Sequence, residues 1–139
     1  MTHVAPIANP ATKVAQRRQR AIIEYLRSMV VGQEDRGERF HSVFLDHRHG
    51  YVGDIALGQG GTGSLTLRMR DLFAQALAVR ANAVIIAHNH PSGHCRPSQF
   101  DIDSTLRLKE VGLALDIELL DHLIFTQDAA YSMRAGGIL

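Results

Sequence analysis

The chain has 139 residues, enough for one domain with a core of its own, and its 45% hydrophobic and 21% charged residues match an ordinary globular chain. A single cysteine, Cys95, excludes an internal disulfide framework and any multi-cysteine zinc site. The formal net charge of +1, from 15 Lys and Arg against 14 Asp and Glu, gives no global drive toward nucleic acid or an anionic membrane.

Residues 1–11 hold two prolines and no periodic pattern, and read as a flexible N-terminal tail ahead of a single domain over residues 12–139. No basic start followed by an apolar core opens the chain, and no apolar run approaches the ~20 residues of a spanning helix, so a cytoplasmic protein with no membrane partner is the expectation. Thr12 is a candidate cap for a helix to about Val31, with Ala15, Ile22, Leu26 and Met29 at helical spacing and Gly32 as its end. Residues 33–37 are polar and read as a linker. Residues 40–46 and 51–57 read as a hairpin joined by His47-Arg48-His49-Gly50. Gly58, Gly60, Gly61 and Gly63 lack the spacing of a phosphate-binding loop and read as a plain connection. Residues 68–80 carry a helical pattern. Residues 83–87 (Ala83-Val84-Ile85-Ile86-Ala87) are unbroken apolar, as in a strand buried on both faces. A turn-rich stretch over 88–97 follows, then a helix from Ser98 to about Val111, and three strands over 113–120, 123–126 and 130–133. The order α-β-β-α-β-α-β-β-β predicts a three-layer α/β/α domain with a mixed central sheet.

The chemistry collects where the apolar strand ends. Side chains two apart on an extended segment point the same way, so the imidazoles of His88 and His90 can meet one ion. Ser98 is a natural N-cap, which puts Asp101 in the first turn of the next helix. Two imidazoles and a carboxylate with a free fourth position form the ligand set of a catalytic zinc site, and ligands in open α/β sheets bind beyond the carboxyl ends of strands. Ser98-x-x-Asp101 is equally a capping box that needs no metal. Asn89 and Ser92 lie where they could orient ligands or substrate. Spacing alone leaves the general base open among Glu34, Glu38, Glu110 and Glu118.

His88-x-His90-Pro91, with seven residues between His90 and Ser98, and then Ser98-x-x-Asp101, resemble the JAMM motif of MPN-domain metalloproteases. The longer string His88-Asn89-His90-Pro91-Ser92-Gly93, followed by Pro97-Ser98 and Asp101, is similar to the RadC-like branch. Phe44-Leu45-Asp46, Arg70-Asp71 and Leu120-Asp121-His122-Leu123-Ile124 extend the likeness over about residues 33–139. The resemblance implies an MPN domain with a cytidine-deaminase-like arrangement. It implies one zinc ion per chain on His88, His90 and Asp101, Glu38 as general base and proton donor, and Ser98 as a donor to the oxyanion. The activity implied is that of a zinc metallopeptidase or isopeptidase on a peptide or isopeptide-linked protein.

Cys95 lies between the ligands but outside the matched pattern. His94 reads as a solvated loop residue, and His41, His47 and His49 show no ligand spacing with a carboxylate. Asp121-His122 suits a structural or supporting hydrogen bond better than direct catalysis. Lys13, Arg17, Arg18, Arg20 and Arg27 stand against Glu24 alone on the first helix, a solvated face or a contact for an acidic partner. The RadC-like resemblance also carries a DNA-repair association, so the alternative is a repair or mobile-element accessory protein that binds DNA or a DNA-repair protein.

Overall fold

The computed structural model describes residues 10–32, 37–59 and 65–139. Among them lie three helices and five strands: α1 (Pro10–Val30), β1 (Arg39–Leu45), β2 (Tyr51–Gln59), α2 (Leu65–Ala78), β3 (Ala83–Asn89), α3 (Gln99–Ala114), β4 (Glu118–Phe125) and β5 (Ala130–Ser132). The strands form one sheet in the order β2-β1-β3-β4-β5. β3 and β4 run parallel, joined through α3, and the other neighbours are antiparallel. The fold is therefore α/β with a mixed sheet.

The apolar run of β3 makes it the middle strand because both of its faces are covered. Val84 and Ile86 point into a core with Phe40 and Phe44 of β1, Leu72 and Phe73 of α2, and Leu108 of α3. Ala83, Ile85 and Ala87 point the other way, against Leu26 and Val30 of α1. One helix thus covers one face and two helices the other, the three-layer arrangement expected from the element order.

The boundaries differ in instructive ways. α1 begins at Pro10 rather than after Thr12, because a proline in the first turn lacks only an N–H that would have no helical partner there. Residues 1–9 of the expected tail, residues 33–36 of the expected linker, and Gly60, Gly61 and Gly63 lie outside the described residues. Gly58 closes β2 at φ +99, a conformation that suits glycine. β3 continues through His88 and Asn89, which pair with Phe40 and with Phe125, so the polar residues are still strand. α3 runs three residues beyond Val111 and closes at a turn with Asp116 at φ 59. The expected strand over 113–120 begins only at Glu118, and it merges with the next into a single β4. The polar Asp121-His122 pair that suggested a break marks a bulge instead: pairing steps from Val84–Leu119 to Ile85–Asp121, leaving Leu120 over. The hairpin turn matches expectation, with Asp46 Oδ1 accepting the N–H groups of Arg48 at 2.8 Å and Gly50 at 2.9 Å.

Candidate metal centre

The strand period places His88 on the same face as Val84 and Ile86, and the side chain is 0% exposed. Phe40, directly across on β1, stacks on its imidazole with ring centroids 4.7 Å apart. The guanidinium of Arg68 covers the Phe40 ring in turn, at 4.6 Å. His90 follows just past the strand, its N–H bonded to the Phe125 carbonyl at 2.9 Å. Ser98 caps α3, and its capping box with Asp101 is complete: Ser98 Oγ accepts the Asp101 N–H at 3.0 Å, and the Ser98 N–H donates to Asp101 Oδ2 at 2.9 Å.

These elements converge. His88 Nε2 and His90 Nε2 lie 3.0 Å apart. Asp101 Oδ2 is 3.1 Å from His90 Nε2, and Asp101 Oδ1 is 3.6 Å from His88 Nε2. Ligand atoms of Glu38, His88 and His90 also fall within 4.8 Å of one another. Capping and clustering are both true of Asp101, since the cap uses Oδ2 and leaves Oδ1 turned toward His88.

A count of protons fixes how the rings stand. Thr105 Oγ1 donates to the Asp101 carbonyl at 2.6 Å, so toward His122 Nδ1, 2.7 Å away, it can only accept. His122 therefore carries its proton on Nδ1 and accepts through Nε2 from His88 Nδ1 at 2.7 Å. His88 Nε2 is left with a lone pair. His90 Nδ1 donates to the His94 carbonyl at 2.8 Å, so its Nε2 is also a lone pair. Two nitrogen lone pairs and a carboxylate face one another and need a positive charge among them. A shared proton or a metal cation meets that need, so the donor set fits a metal ion.

The electrostatics agree. Burial alone would raise the Asp101 carboxyl, but a proton shared on the imidazole of His88, together with the N–H of Ser98, outweighs it and holds the group well below the usual carboxylate range. Burial pushes His122 well below the ordinary histidine value, and a positive charge placed between His88 and His90 pushes the same way, so it stays neutral as the proton count requires.

Glu38 precedes β1, and the β1–β3 register carries it to the end of β3. Asn89 holds it there from both sides. Its Oδ1 accepts the Arg39 N–H at 2.6 Å and its Nδ2 donates to the Gly37 carbonyl at 3.3 Å. Glu38, His90, Ser92 and Ser98 line one open groove.

The structure thus brings together Glu38, His88, His90, Ser98 and Asp101. Asn89 sits in β3, not in a loop, and its side chain bonds the backbone on both sides of Glu38. Ser92 touches neither imidazole; its hydroxyl accepts the His94 N–H at 3.5 Å, because the tight turn at Gly93 directs it back into the loop. Cys95 is half-buried and lines a neighbouring groove with Ile102 and Tyr131. His94 has an exposed ring, yet its carbonyl orients His90. Folding of the hairpin brings His41 Nε2 to 2.6 Å from Asp54, a pairing that linear spacing hides. Thr105 was missed, although its place four residues after Asp101 puts both on one helix face.

Fold and cluster define an α/β domain with a His₂-carboxylate cluster at the carboxyl end of its middle strand. Residues 16–138 match the family described as the RadC-like JAB domain, and the chain belongs to it. Similar relatives include a UPF0758 protein of Syntrophotalea carbinolica, 34% identical over 77% of this chain and 47% of the relative. A UPF0758 protein of Staphylococcus aureus is 39% identical over 72% of this chain and 46% of the relative. One from Paraburkholderia xenovorans is 35% identical over 84% of this chain and 46% of the relative. The chain spans about half the length of the curated relatives it matches. No helix among the described residues is long and apolar enough to cross a membrane.

Proposed function

We propose that the chain is a zinc-dependent hydrolase that cleaves an amide or isopeptide bond in a peptide or protein. The supporting observation is the set of inward lone pairs of His88 and His90 beside Asp101, 3.0 to 3.6 Å apart, with a carboxylate that is not in the capping box, Glu38, alongside. His88, His90 and Asp101 would hold one zinc ion per chain. When bound, zinc supplies Lewis acidity, polarising a carbonyl and lowering the pKa of water toward ~7. Glu38, on the groove wall, takes the proton of the attacking water and returns it to the leaving amine. Ser98 Oγ accepts from Asp101 N–H, which leaves its own proton to donate to the developing oxyanion, a contribution of about 2.7–4 kcal/mol for comparable donors. A cytoplasmic setting goes with this reading.

Glu38→Gln tests it. The variant should keep one zinc per chain while turnover of peptide and isopeptide substrates falls about 10²–10⁴-fold. Undiminished turnover would refute the assignment of the base.

A second reading, a DNA-associated role in repair or in mobile elements, is favoured by one feature. Lys13, Arg17, Arg18 and Arg20 are all exposed on α1. Arg27 is drawn aside onto the Thr126 and Gln127 carbonyls. Salt-dependent binding to duplex DNA, lost when Arg17, Arg18 and Arg20 are neutralised together, is the outcome that reading requires.

A further inference from the structure

At the opposite end of the sheet from the histidines, α1 parts from the strands. Leu26 and Val30 are fully buried against the sheet, Ile22 only half so, and Ala15, Arg18 and Gln19 are exposed. The space left beneath the N-terminal half of α1 is a cavity of about 280 Å³. Its walls are apolar, formed by Ile22, Leu45, Ile85 and Leu120, and its rim carries Arg18, Arg48 and Arg134. We propose that this cavity binds a phosphomonoester that carries a small apolar or aromatic group.

Size, charge and rigidity each favour that class of ligand. The volume is near the ~300 Å³ lower end of small-molecule pockets, and the apolar walls suit an organic body. Of the rim cations, Arg134 has its guanidinium held before any ligand arrives, Arg48 has its backbone fixed, and Arg18 is exposed. Arg48 sits on the turn that Asp46 pins, and Arg134 is fixed by donating its Nε to the Leu120 carbonyl and its Nη2 to the Leu119 carbonyl, with no bond from its Nη1 among the described residues. Asp121, the one acidic residue lining the cavity among the described residues, is turned inward. Its Oδ1 accepts the N–H groups of His122 and Arg134, and its Oδ2 accepts from Ser132 Oγ. Among the described residues, three guanidiniums against this one carboxylate leave a net +2 at the cavity. A phosphomonoester carries about −1.5 to −2 near neutrality, a closer match than a monocarboxylate, and arginine recognises it through paired N–H donors. A DNA backbone needs no apolar cavity, so the walls separate this site from a simple basic surface.

The experiment titrates the full 139-residue chain with naphthyl phosphate, with naphthol and inorganic phosphate as comparison ligands, following chemical shifts and probe fluorescence. One equivalent should bind with a submillimolar Kd, and each comparison ligand at least about 10-fold more weakly, since each offers only half of the recognition. Arg48→Gln should weaken binding about 10-fold, the factor carried by one charge-assisted hydrogen bond. Ala15→Trp should fill the cavity and abolish binding with every rim charge intact. Both positions are exposed, so the fold survives, as circular dichroism will show. His88→Ala should leave binding unchanged. Binding that vanishes in His88→Ala assigns the probe to the histidine cluster and overturns the proposal. So does equal affinity for inorganic phosphate, or indifference to both Arg48→Gln and Ala15→Trp, or no saturation in the millimolar range.

Discussion

Asp101, Thr105, His122 and His88 form one proton relay in which each donor has a single acceptor, and its outcome is the lone pair on His88 Nε2. Thr105→Val breaks the relay while keeping side-chain volume. It leaves the buried His122 Nδ1–H unpaired, so stability to urea should fall by about 1–3 kcal/mol. Zinc affinity should fall about 10–100-fold, the usual effect of losing a partner behind a ligand, as read by competition with a chromophoric chelator. Asn89→Ala should act differently. By freeing Gly37 and Arg39 it loosens Glu38 and lowers turnover with zinc stoichiometry unchanged. His88, His90 and Asp101 were legible because strand alternation and a capping box are local patterns. Thr105 and the Asn89 clamp were not, because each depends on register across the sheet or on a neighbouring element that the local sequence does not encode.

α1 is fastened to the hairpin by one carboxylate. Asp54 accepts from Tyr25 and His41, each at 2.6 Å, and from Tyr51. Burial would raise the Asp54 carboxyl, but the donors outweigh it and hold it below its ordinary value. Its stabilising effect is therefore present above the unfolded pKa of about 4 and is lost as pH falls through the lower folded value. The hydrogen bond to Asp54 pushes Tyr25 up to about 12. Its effect is full below the unfolded pKa of about 10 and is lost as pH rises through the folded value. The urea midpoint should accordingly be flat between about pH 7.5 and 9 and fall above that range. On the acid side it falls first through His122, whose buried ring refuses the proton that the unfolded chain takes up below about 6.5, and then through Asp54. In Asp54→Ala the alkaline fall should shrink and amide exchange along α1 should quicken. Gly112 shows the opposite kind of constraint. A Cβ there would meet the Ile117 carbonyl oxygen at 2.5 Å, so Gly112→Ala should force α3 and β4 apart and lower the thermal midpoint. The same close approach explains why the α3–β4 boundary was misread. Leu113, Leu115, Ile117 and Leu119 alternate through helix end, turn and strand, and hydrophobicity alone does not mark where one becomes the next.

The two cores lie on opposite faces of the sheet and share no residue. Leu108→Ala and Leu26→Ala should each cost about 2–5 kcal/mol. Their effects should add to within ~0.5 kcal/mol in the double variant, because neither side chain touches the other's neighbours. The layered arrangement itself was readable from the alternation of elements and the apolar run of β3. The same layering sets the candidate centre at one end of β3, with a backing of buried rings, and leaves the arginine-rimmed cavity at the other. The most direct test of the central claim is a zinc titration with elemental analysis of wild type and a His88→Ala/His90→Ala double variant. The account predicts one tightly held zinc in the wild type and none in the variant with the fold intact. Equal zinc in both, or none in the wild type, would contradict it.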